Sequence, residues 1–371
     1  MSQQAVSILL SEKISDRVIM LSKMWRALGR STILIYGIDS LIYKDLSNFD
    51  TVIKVNEPKQ AIEIAKCISG EKVVHYFCYG PDWTGLHLLH SGLKYIYDYK
   101  DLFWRVMNIE MPEDNGKLEM DLIKNAQLIT NRDQQIINYI NLNEITLNTD
   151  KLIHIPEYFH SDSKYEDELK KYILENNSET IHAVITGGYP EDNDIPISEG
   201  IREVIKYLLA QNIKVTVIGS NSNINKIDVC YSTNDNEIEK NKNYRAIPMM
   251  EQEEYEGELI KYDFAVHLTN EDIVDGLQKH QFKNSVHASY AGSARLLSFV
   301  KAGLPILISS RFKYNIERFN KSDFIMQFNK EKNYYNLVKE MRESKFRKRL
   351  LVDREIYNTQ HLLNYAKEIF N

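Results

Sequence analysis

Short runs of β-branched and aliphatic residues recur along almost the whole chain, and helix-length spacers separate most of them. The spacers carry apolar residues at helical intervals, as Val18, Leu21, Trp25 and Leu28 do after the first run. The strand-like runs are residues 6–10, 33–36, 52–55, 73–77, 95–97, 128–130, 152–155, 181–185, 214–218, 244–246, 264–267 and 306–309. Strands that alternate with helices form a mostly parallel sheet covered on both faces. The pattern therefore predicts an α/β protein with doubly wound parallel sheets.

The alternation breaks once, in a polar and charged stretch at residues 160–179, and then starts again. A chain of 371 residues is long enough for two domains with a core each. We predict an N-terminal Rossmann-like domain over residues 1–157, a linker over 158–180 and a second Rossmann-like domain over 181–352. In the last segment, 353–371, Tyr357, Leu362, Tyr365 and Phe370 have roughly helical spacing, which predicts an amphipathic helix that crosses back to the first domain.

The composition argues against several classes of protein. Hydrophobic residues make up 43% of the chain, but no apolar run approaches the roughly 20 residues of a membrane span. The net charge is -6 and the basic residues form no stripe, which argues against a nucleic-acid partner. The three cysteines are scattered, and the first residues lack the pattern of a secretory signal. We expect a cytoplasmic protein, at most peripherally associated with the inner face of the membrane.

Small residues follow two predicted strands of the second domain. In open α/β sheets the ligand lies beyond the carboxyl ends of the strands, and small residues there let backbone amides approach a phosphate. The candidates are Gly187, Gly188, Gly219 and Ser220, together with Met249 after a third strand. Glycine after a strand is common, so each loop alone is weak evidence.

The segment 288–309 combines a small-residue loop, an amphipathic helix and a buried strand. We expect the helix to begin after Gly292 and Ser293 and to stop at Gly303. Its first amides, from Ala294 onward, offer hydrogen-bond donors and a positive dipole to an anion. Arg295, in the first turn, carries a guanidinium able to grip a diphosphate through two hydrogen bonds. A solvent-facing or ion-paired arginine is an equally good interpretation.

A loop of the first domain, after residues 73–77, contains Asp82, Trp83 and Thr84. This composition suits an acceptor or ring-stacking surface. A tryptophan in a loop is as often a packing plug, so the functional and the structural interpretation have equal weight.

Charged residues end the next predicted strand of the first domain. Asp98, Lys100 and Asp101 are expected at the carboxyl edge of the sheet, where they are able to act as acid, base or hydroxyl-orienting groups. The alternative is a solvated ion pair with Lys100.

Several kinds of catalytic site find no support in the sequence. The histidines do not have metal-ligand spacing, and no H-E-x-x-H is present, so we expect no bound metal. The chain also lacks G-x-S-x-G, the P-loop pattern and a G-x-G-x-x-G after its first strand. Serine hydrolases, P-loop kinases and ordinary dinucleotide oxidoreductases are therefore disfavoured.

These segments, in this order, resemble the retaining glycosyltransferases of the GT-B fold, in particular glycosyltransferase family 4. Asp16-Arg17-Val18 is similar to the family's opening D-x-R-V, and residues 97–103, YDYKDLF, to its Y-D-x-H-[DE]-L-[FW]. Residues 122–130 resemble its helix followed by A-D-x-[IV]-[IVT], and residues 297–306 its L-E-[AY]-[ML]-A-x-G-[LK]-P-[VI]. The resemblance covers nearly the whole length and implies two Rossmann-like domains that face a central cleft.

The resemblance also implies an activity. A nucleoside diphosphate sugar, with UDP or GDP, would bind the second domain at the glycine loops, Met249 and the 292–295 turn, with no further cofactor. The sugar would pass with retention to a hydroxyl of a glycan, lipid-linked or protein acceptor on the first domain, near Asp82, Trp83 and Thr84. The catalytic candidates are Asp98, Lys100, Asp101 and Arg295.

Two departures from the family pattern bear on this activity. The glutamate that meets the donor ribose in the family falls on Ser298, and the histidine of the Y-D-x-H motif falls on Lys100. Two other hypotheses therefore stay open. One is a catalytically silent GT-B subunit that binds a sugar nucleotide or scaffolds a partner transferase, and the other is a sugar-nucleotide 2-epimerase.

Overall fold

A computed structural model describes residues 5–39, 46–78, 83–99, 113–141, 146–160, 163–175, 179–189, 200–221, 230–275, 289–290, 292–343 and 345–370. The chain divides into two compact units. Unit 1 comprises Met1–Tyr158, Tyr290–Gly292 and Thr359–Asn371, and unit 2 comprises Phe159–Ser289 and Ser293–Asn358.

Unit 1 contains a parallel sheet of seven strands in the order β3-β2-β1-β4-β5-β6-β7. The strands are β1 (Val6–Lys13), β2 (Ser31–Ile38), β3 (Thr51–Lys54), β4 (Lys72–Cys78), β5 (Tyr95–Tyr99), β6 (Leu128–Asn131) and β7 (Leu152–His154). The helices between them are α1 (Asp16–Ala27), α2 (Pro58–Cys67), α3 (Trp83–Leu89), α4 (Glu113–Asn125) and α5 (Gln135–Asn141), and a 3-10 turn spans Thr149–Lys151.

The sequence of α1 shows why these elements form where they do. Ser15 caps the helix by accepting a hydrogen bond from the Val18 amide at 3.4 Å, and Asp16 in the first turn complements the helix dipole. Gly29, at φ +76°, follows the last turn in the left-handed conformation that glycine adopts without strain.

Alternation along the strands fills two cores, one on each face of the unit 1 sheet. Ile8 and Leu10 of β1 pack into one cluster with Ala61 of α2, whereas Leu9 packs into the other with Trp25 of α1. This is the two-sided burial that a doubly wound sheet requires.

Unit 2 contains a second parallel sheet, of six strands in the order β10-β9-β8-β11-β12-β13. The strands are β8 (His182–Tyr189), β9 (Lys214–Asn221), β10 (Tyr244–Ile247), β11 (Phe264–His267), β12 (Ile306–Ile308) and β13 (Ile325–Gln327). The helices are α6 (Ser163–Glu175), α7 (Arg202–Ala210), α8 (Asn236–Glu239), α9 (Gln252–Leu259), α10 (Asn270–Ile273), α11 (Ala294–Lys301), α12 (Lys313–Asn320), α13 (Tyr334–Glu343) and α14 (Phe346–Asp353), followed by a 3-10 turn at Arg354–Tyr357.

This sheet also has a core on each face. Along β8, Ala183 and Ile185 belong to one cluster and Val184 to the other. Helix α7 contributes Val204 to the first cluster, and α11 contributes Phe299 to the second. The predicted strand–helix alternation is confirmed in both units.

The chain ends in a helix that belongs to unit 1. Helix α15 (Thr359–Phe370) contributes Leu362 and Ala366 to the cluster that contains Leu21 and Trp25 of α1. Of the four residues predicted on one helix, Leu362 packs in this cluster, whereas Tyr357 lies in the 3-10 turn and packs in a unit 2 cluster. The side chains of Tyr365 and Phe370 lie outside the described part.

Several strands extend further than the sequence predicts. Strand β8 continues to Tyr189 and β9 to Asn221, so the glycines expected in loops lie within the last residues of these strands. Likewise, β5 continues through Tyr99 and contains Asp98. Glycine allows the positive φ of Gly187 and Gly219 within the β8–β9 ladder, and Asp98 stays within β5 with its carboxylate paired to Arg17. In the described residues, no helix is both long and apolar enough to cross a membrane.

Candidate functional site

The carboxyl edge of the unit 2 sheet contains the point where the chain reverses its direction across the sheet. From β8 the chain proceeds through β9 to β10, and it then returns to place β11 on the other side of β8. In open α/β sheets, ligands bind outside the carboxyl ends of the strands at such a switch point. The ends of β8 and β11 are therefore the first place to look for a site.

Two glycines, Gly187 and Gly219, lie side by side at this edge, and we call this pair the glycine floor. Gly187 of β8 and Gly219 of β9 are direct register partners, at φ +135° and +146°. A Cβ atom on Gly219 would overlap the carbonyl oxygen of Gly187, so the position has no room for a side chain. The ends of these two neighbouring strands are thus in close backbone contact at this position.

Arg295 lies directly over this floor. A Cβ atom on Gly187 would overlap the Arg295 guanidinium, so the glycine is what allows the arginine to approach the end of β8. Arg295 is in the first turn of α11, where the helix dipole adds positive potential. Three residues that the sequence singled out separately, Gly187, Gly219 and Arg295, are therefore brought together by the fold.

The start of α11 is held by a neighbouring helix. The backbone N–H of Ser293, the N-cap residue, donates to Oδ1 of Asn315 at 3.1 Å, and Asn315 is buried. The Ser293 side chain makes no capping hydrogen bond within the described residues. Among the described residues, the Ser293 side chain therefore covers none of the first-turn amides of α11.

His267, at the end of β11, is a member of this site that the sequence interpretation missed. Loss of hydration, together with the charges of Arg295 and Arg311, holds its pKa well below the ordinary value. Its ring lies 4.4 Å from the ring of Phe312, between centroids. Burial alone favours the neutral imidazole, and the two arginine charges act in the same direction. Its place at a strand end was the available signal.

Arg311 is itself fixed by neighbouring groups. It forms an ion pair with Glu271 and donates from Nη2 to Oγ1 of Thr269 at 2.8 Å. Arg311 therefore has a fixed position near His267.

The other predicted ligand-binding residues lie close in sequence or register to this floor. Gly188 and Ser220 are register partners, one step beyond Gly187 and Gly219. Ala294 is the first residue of α11, and Ser298 lies one turn further and is half-buried. Met249 follows β10 and is half-buried. Their roles in binding stay predictions.

Gly292 has a different environment, because its backbone is bonded within unit 1. Its N–H donates to Oδ2 of Asp133 at 2.9 Å, and its carbonyl accepts from Nη2 of Arg132 at 2.6 Å. Burial raises the pKa of Asp133, although Arg132 and the Gly292 amide act in the opposite direction. Nothing in the local sequence around Gly292 signals this pair of partners, which are about 160 positions away.

Asp98 lies in the interior of unit 1. Its Oδ2 accepts from Nε of Arg17 at 3.0 Å and is 3.3 Å from Nε2 of His75, whose Nδ1 accepts from the Trp25 indole at 3.2 Å. Burial by itself would raise the pKa of Asp98, but Arg17 and His75 hold it below the ordinary value. Arg17 also donates to the carbonyl of Ile155 at 2.6 Å.

The geometry of Asp98 is that of a buried structural ion pair. The Oδ1 atom of Asp98 and the Nη2 atom of Arg17 have no hydrogen-bond partner in the part of the chain that is described. A catalytic role for Asp98 stays a prediction.

The remaining candidates of unit 1 are only partly visible. Thr84 is buried in α3. Trp83 begins α3, but its side chain lies outside the described part, as do Asp82, Lys100 and Asp101 altogether. Among the described residues, no three His, Cys, Asp or Glu side chains form a group that could hold a metal ion.

Comparison with known proteins identifies structures of similar fold. No family model and no curated protein matches the sequence. The structure is similar to HepE from Anabaena in complex with UDP-glucose, with a TM-score of 0.64, 9% identity and coverage of 98% of this chain and 99% of that one. It is also similar to the N-terminal domain of trehalose-6-phosphate phosphatase from Candida albicans, with a TM-score of 0.60, 10% identity and coverage of 100% and 96%.

A third similar structure is the UDP-GlcNAc 2-epimerase from Neisseria meningitidis bound to UDP-GlcNAc, with a TM-score of 0.51, 10% identity and coverage of 98% of both chains. At such identities the likeness is evidence of fold alone. The chain has two Rossmann-like parallel-sheet units of the GT-B class, as the sequence predicts. Membership of glycosyltransferase family 4 stays a prediction.

Proposed function

We propose that this protein binds a nucleoside diphosphate sugar at the carboxyl edge of the unit 2 sheet and transfers the sugar, with retention, to a hydroxyl group. The observation that carries the proposal is the Arg295 guanidinium over Gly187, at the switch point of the sheet. A cation above bare backbone, beside the first turn of a helix, is an arrangement suited to a diphosphate.

Each part of this edge has a role in the proposed reaction. Gly187 makes room for Arg295 over the end of β8, and Arg295 together with the first amides of α11 neutralises the charge of the diphosphate. As the bond between the anomeric carbon and the diphosphate oxygen breaks, negative charge grows on the leaving oxygen, which these donors stabilise. The acceptor oxygen forms the new bond on the same face, and its proton passes to the leaving diphosphate.

The similar structures support a uridine nucleotide. HepE is in complex with UDP-glucose, and the Neisseria epimerase is bound to UDP-GlcNAc. We therefore place UDP before GDP as the nucleotide of the donor. Asp82, Trp83 and Thr84 remain our candidates for the acceptor surface of unit 1, and Lys100 and Asp101 for groups that orient the acceptor.

The first test is a thermal-shift panel of UDP- and GDP-sugars on the full chain, because a ligand that binds only the native state raises its apparent stability. We expect one UDP-sugar to raise the melting temperature more than UDP alone. That sugar is then incubated with hydroxyl acceptors, and the anomeric configuration of the product is read by NMR. Binding without transfer or donor hydrolysis would instead support a catalytically silent subunit.

A 2-epimerase is the second candidate, because the UDP-GlcNAc 2-epimerase has the same fold. It differs in needing no acceptor. Incubation of the protein with UDP-GlcNAc alone distinguishes the two activities. A new C2 epimer in the absence of acceptor favours epimerisation, and unchanged UDP-GlcNAc argues against it.

A further inference from the structure

A cavity lies at the amino edge of the unit 2 sheet, opposite the edge that contains the glycine floor. It has a volume of about 380 Å³ and is lined by residues at or just before the starts of four strands, among them His182, Lys214, Asn243 and Asp263. His182 and Gly187 are both on β8, five residues apart, so the cavity is roughly 16 Å from the glycine floor at 3.3 Å per residue. This volume lies within the range of small-molecule sites.

The charges around this cavity are unequal. Three lysines line it, Lys214, Lys242 and Lys261, and its carboxylate is that of Asp263. Asp263 already forms an ion pair with Arg342, with 2.5 Å between Oδ2 and Nη2, and accepts the His182 amide at 2.8 Å.

Two of the three ammonium groups have no counter-ion. Lys261 pairs with Glu258 at 2.6 Å. In the part of the chain that is described, the side chains of Lys214 and Lys242 have no hydrogen-bond or ion-pair partner. The cavity thus combines two uncompensated positive charges with an already neutralised carboxylate.

The pKa of His182, in the wall of the cavity, is lowered by burial and by this positive charge. Burial, and next the charge of Lys214, lower its pKa to about 4, with a further contribution from Arg245 and an opposing one from Glu258. Its Nε2 is 2.8 Å from Oγ1 of Thr216, and its ring meets that of Tyr262 edge-on at 4.6 Å. The ring is therefore held in one position and neutral at physiological pH.

We propose that this cavity is a binding site for a phosphate monoester, of the sugar-phosphate class, separate from the donor site. Lysine ammonium groups bind phosphate as point charges, and Lys214 and Lys242 supply two of them. The side chains of Asn243 and Thr180, both in the lining, supply hydrogen bonds of the kind that hydroxyl groups accept. A polar cavity of this size accommodates the sugar as well as the phosphoryl group.

The test titrates the full chain with glucose 6-phosphate and with inorganic phosphate, and follows the ring resonances of His182 by NMR. Both probes are expected to shift these resonances saturably, and uncharged glucose is expected to leave them unchanged. Calorimetry on the same samples gives the affinity. Absence of a saturable shift, or an equal shift with glucose, would overturn the proposal.

Matched variants locate the binding. Lys214→Ala combined with Lys242→Ala is expected to weaken glucose 6-phosphate binding at least about tenfold, because two charged contacts are lost. Lys321→Ala combined with Lys339→Ala removes the same charge from exposed lysines of the same unit and is expected to have no effect. Lys242→Ala alone, at an exposed position, gives an intermediate loss if the double variant folds poorly.

Arg295→Ala separates this site from the donor site. The variant is expected to bind glucose 6-phosphate with unchanged affinity, whatever becomes of sugar-nucleotide binding. Loss of glucose 6-phosphate binding in Arg295→Ala, or its persistence in the double lysine variant, would show that the ligand binds elsewhere.

Discussion

The two sheets differ in which residues lie near the carboxyl ends of β5 and β8. In unit 1, β5 ends with a charged residue turned inward, where Asp98 pairs with Arg17 in the core. In unit 2, β8 has Gly187 and Gly188 just before its last residue, and the charge comes from Arg295 on a neighbouring helix, above Gly187. The carboxylate near the end of β5 is thus paired inside the core, whereas the absence of a side chain at Gly187 makes room for Arg295.

The contrast predicts different consequences for removing an arginine from each region. Arg17→Ala leaves the Asp98 carboxylate buried without its main partner, which costs about 3–5 kcal/mol of unfolding free energy. Arg26→Ala is the control on the same helix, because its ion pair with Asp50 is about half exposed, and about 0–1 kcal/mol is expected. Urea unfolding followed by the fluorescence of buried Trp25 measures both. Equal losses would show that burial of the Arg17 pair has no special weight.

A substitution in the glycine floor is expected to give the next largest loss of unfolding free energy. Gly219→Ala places a Cβ on the carbonyl oxygen of Gly187 at φ +146°, and about 2–4 kcal/mol of destabilisation is expected from strain and overlap together. Gly92→Ala is the control, since its φ is +74° but no atom lies within 4 Å of the added carbon, and about 1–2 kcal/mol is expected. Similar values for the two variants would mean that the contact between the strand ends is not tight.

The unit 1 pair also predicts a dependence on pH. The folded pKa of Asp98 is lower than its unfolded value, so the pair's contribution is fully present above the unfolded pKa and is lost as pH falls through the folded one. Each unit of this difference contributes about 1.4 kcal/mol. In Asp98→Asn, the slope of unfolding free energy against pH below about pH 4 should be flatter. An unchanged slope would mean that Asp98 does not carry this dependence.

The rule that ligands lie beyond the carboxyl ends of parallel strands selected the candidate residues at the sheet edge, but it did not predict the distant residues to which Asp98 and Gly292 are bonded. Gly187 and Gly219 were singled out because β-branched runs mark strands and parallel strands end at a common edge, and Arg295 because a small-residue loop precedes its helix. The structure brings the three together, and their role in binding stays a prediction. The sequence predicted Asp98 at the carboxyl edge of the sheet but not its burial against Arg17, because Arg17 is 81 positions away and nothing local signals the pair. The same reason hid the bonds of Gly292 to Asp133 and Arg132. His267 had a signal, its place at a strand end, that the interpretation did not use.

Binding of a nucleoside diphosphate to Arg295→Ala tests the central claim most directly. Calorimetry with UDP compares the wild-type chain, Arg295→Ala and Arg349→Ala, which removes a guanidinium from an exposed ion pair of the same unit. If Arg295 holds the diphosphate over Gly187, its removal weakens UDP binding at least about tenfold, or about 1.4 kcal/mol, while Arg349→Ala binds as the wild type does. Wild-type affinity for UDP in Arg295→Ala would contradict the account.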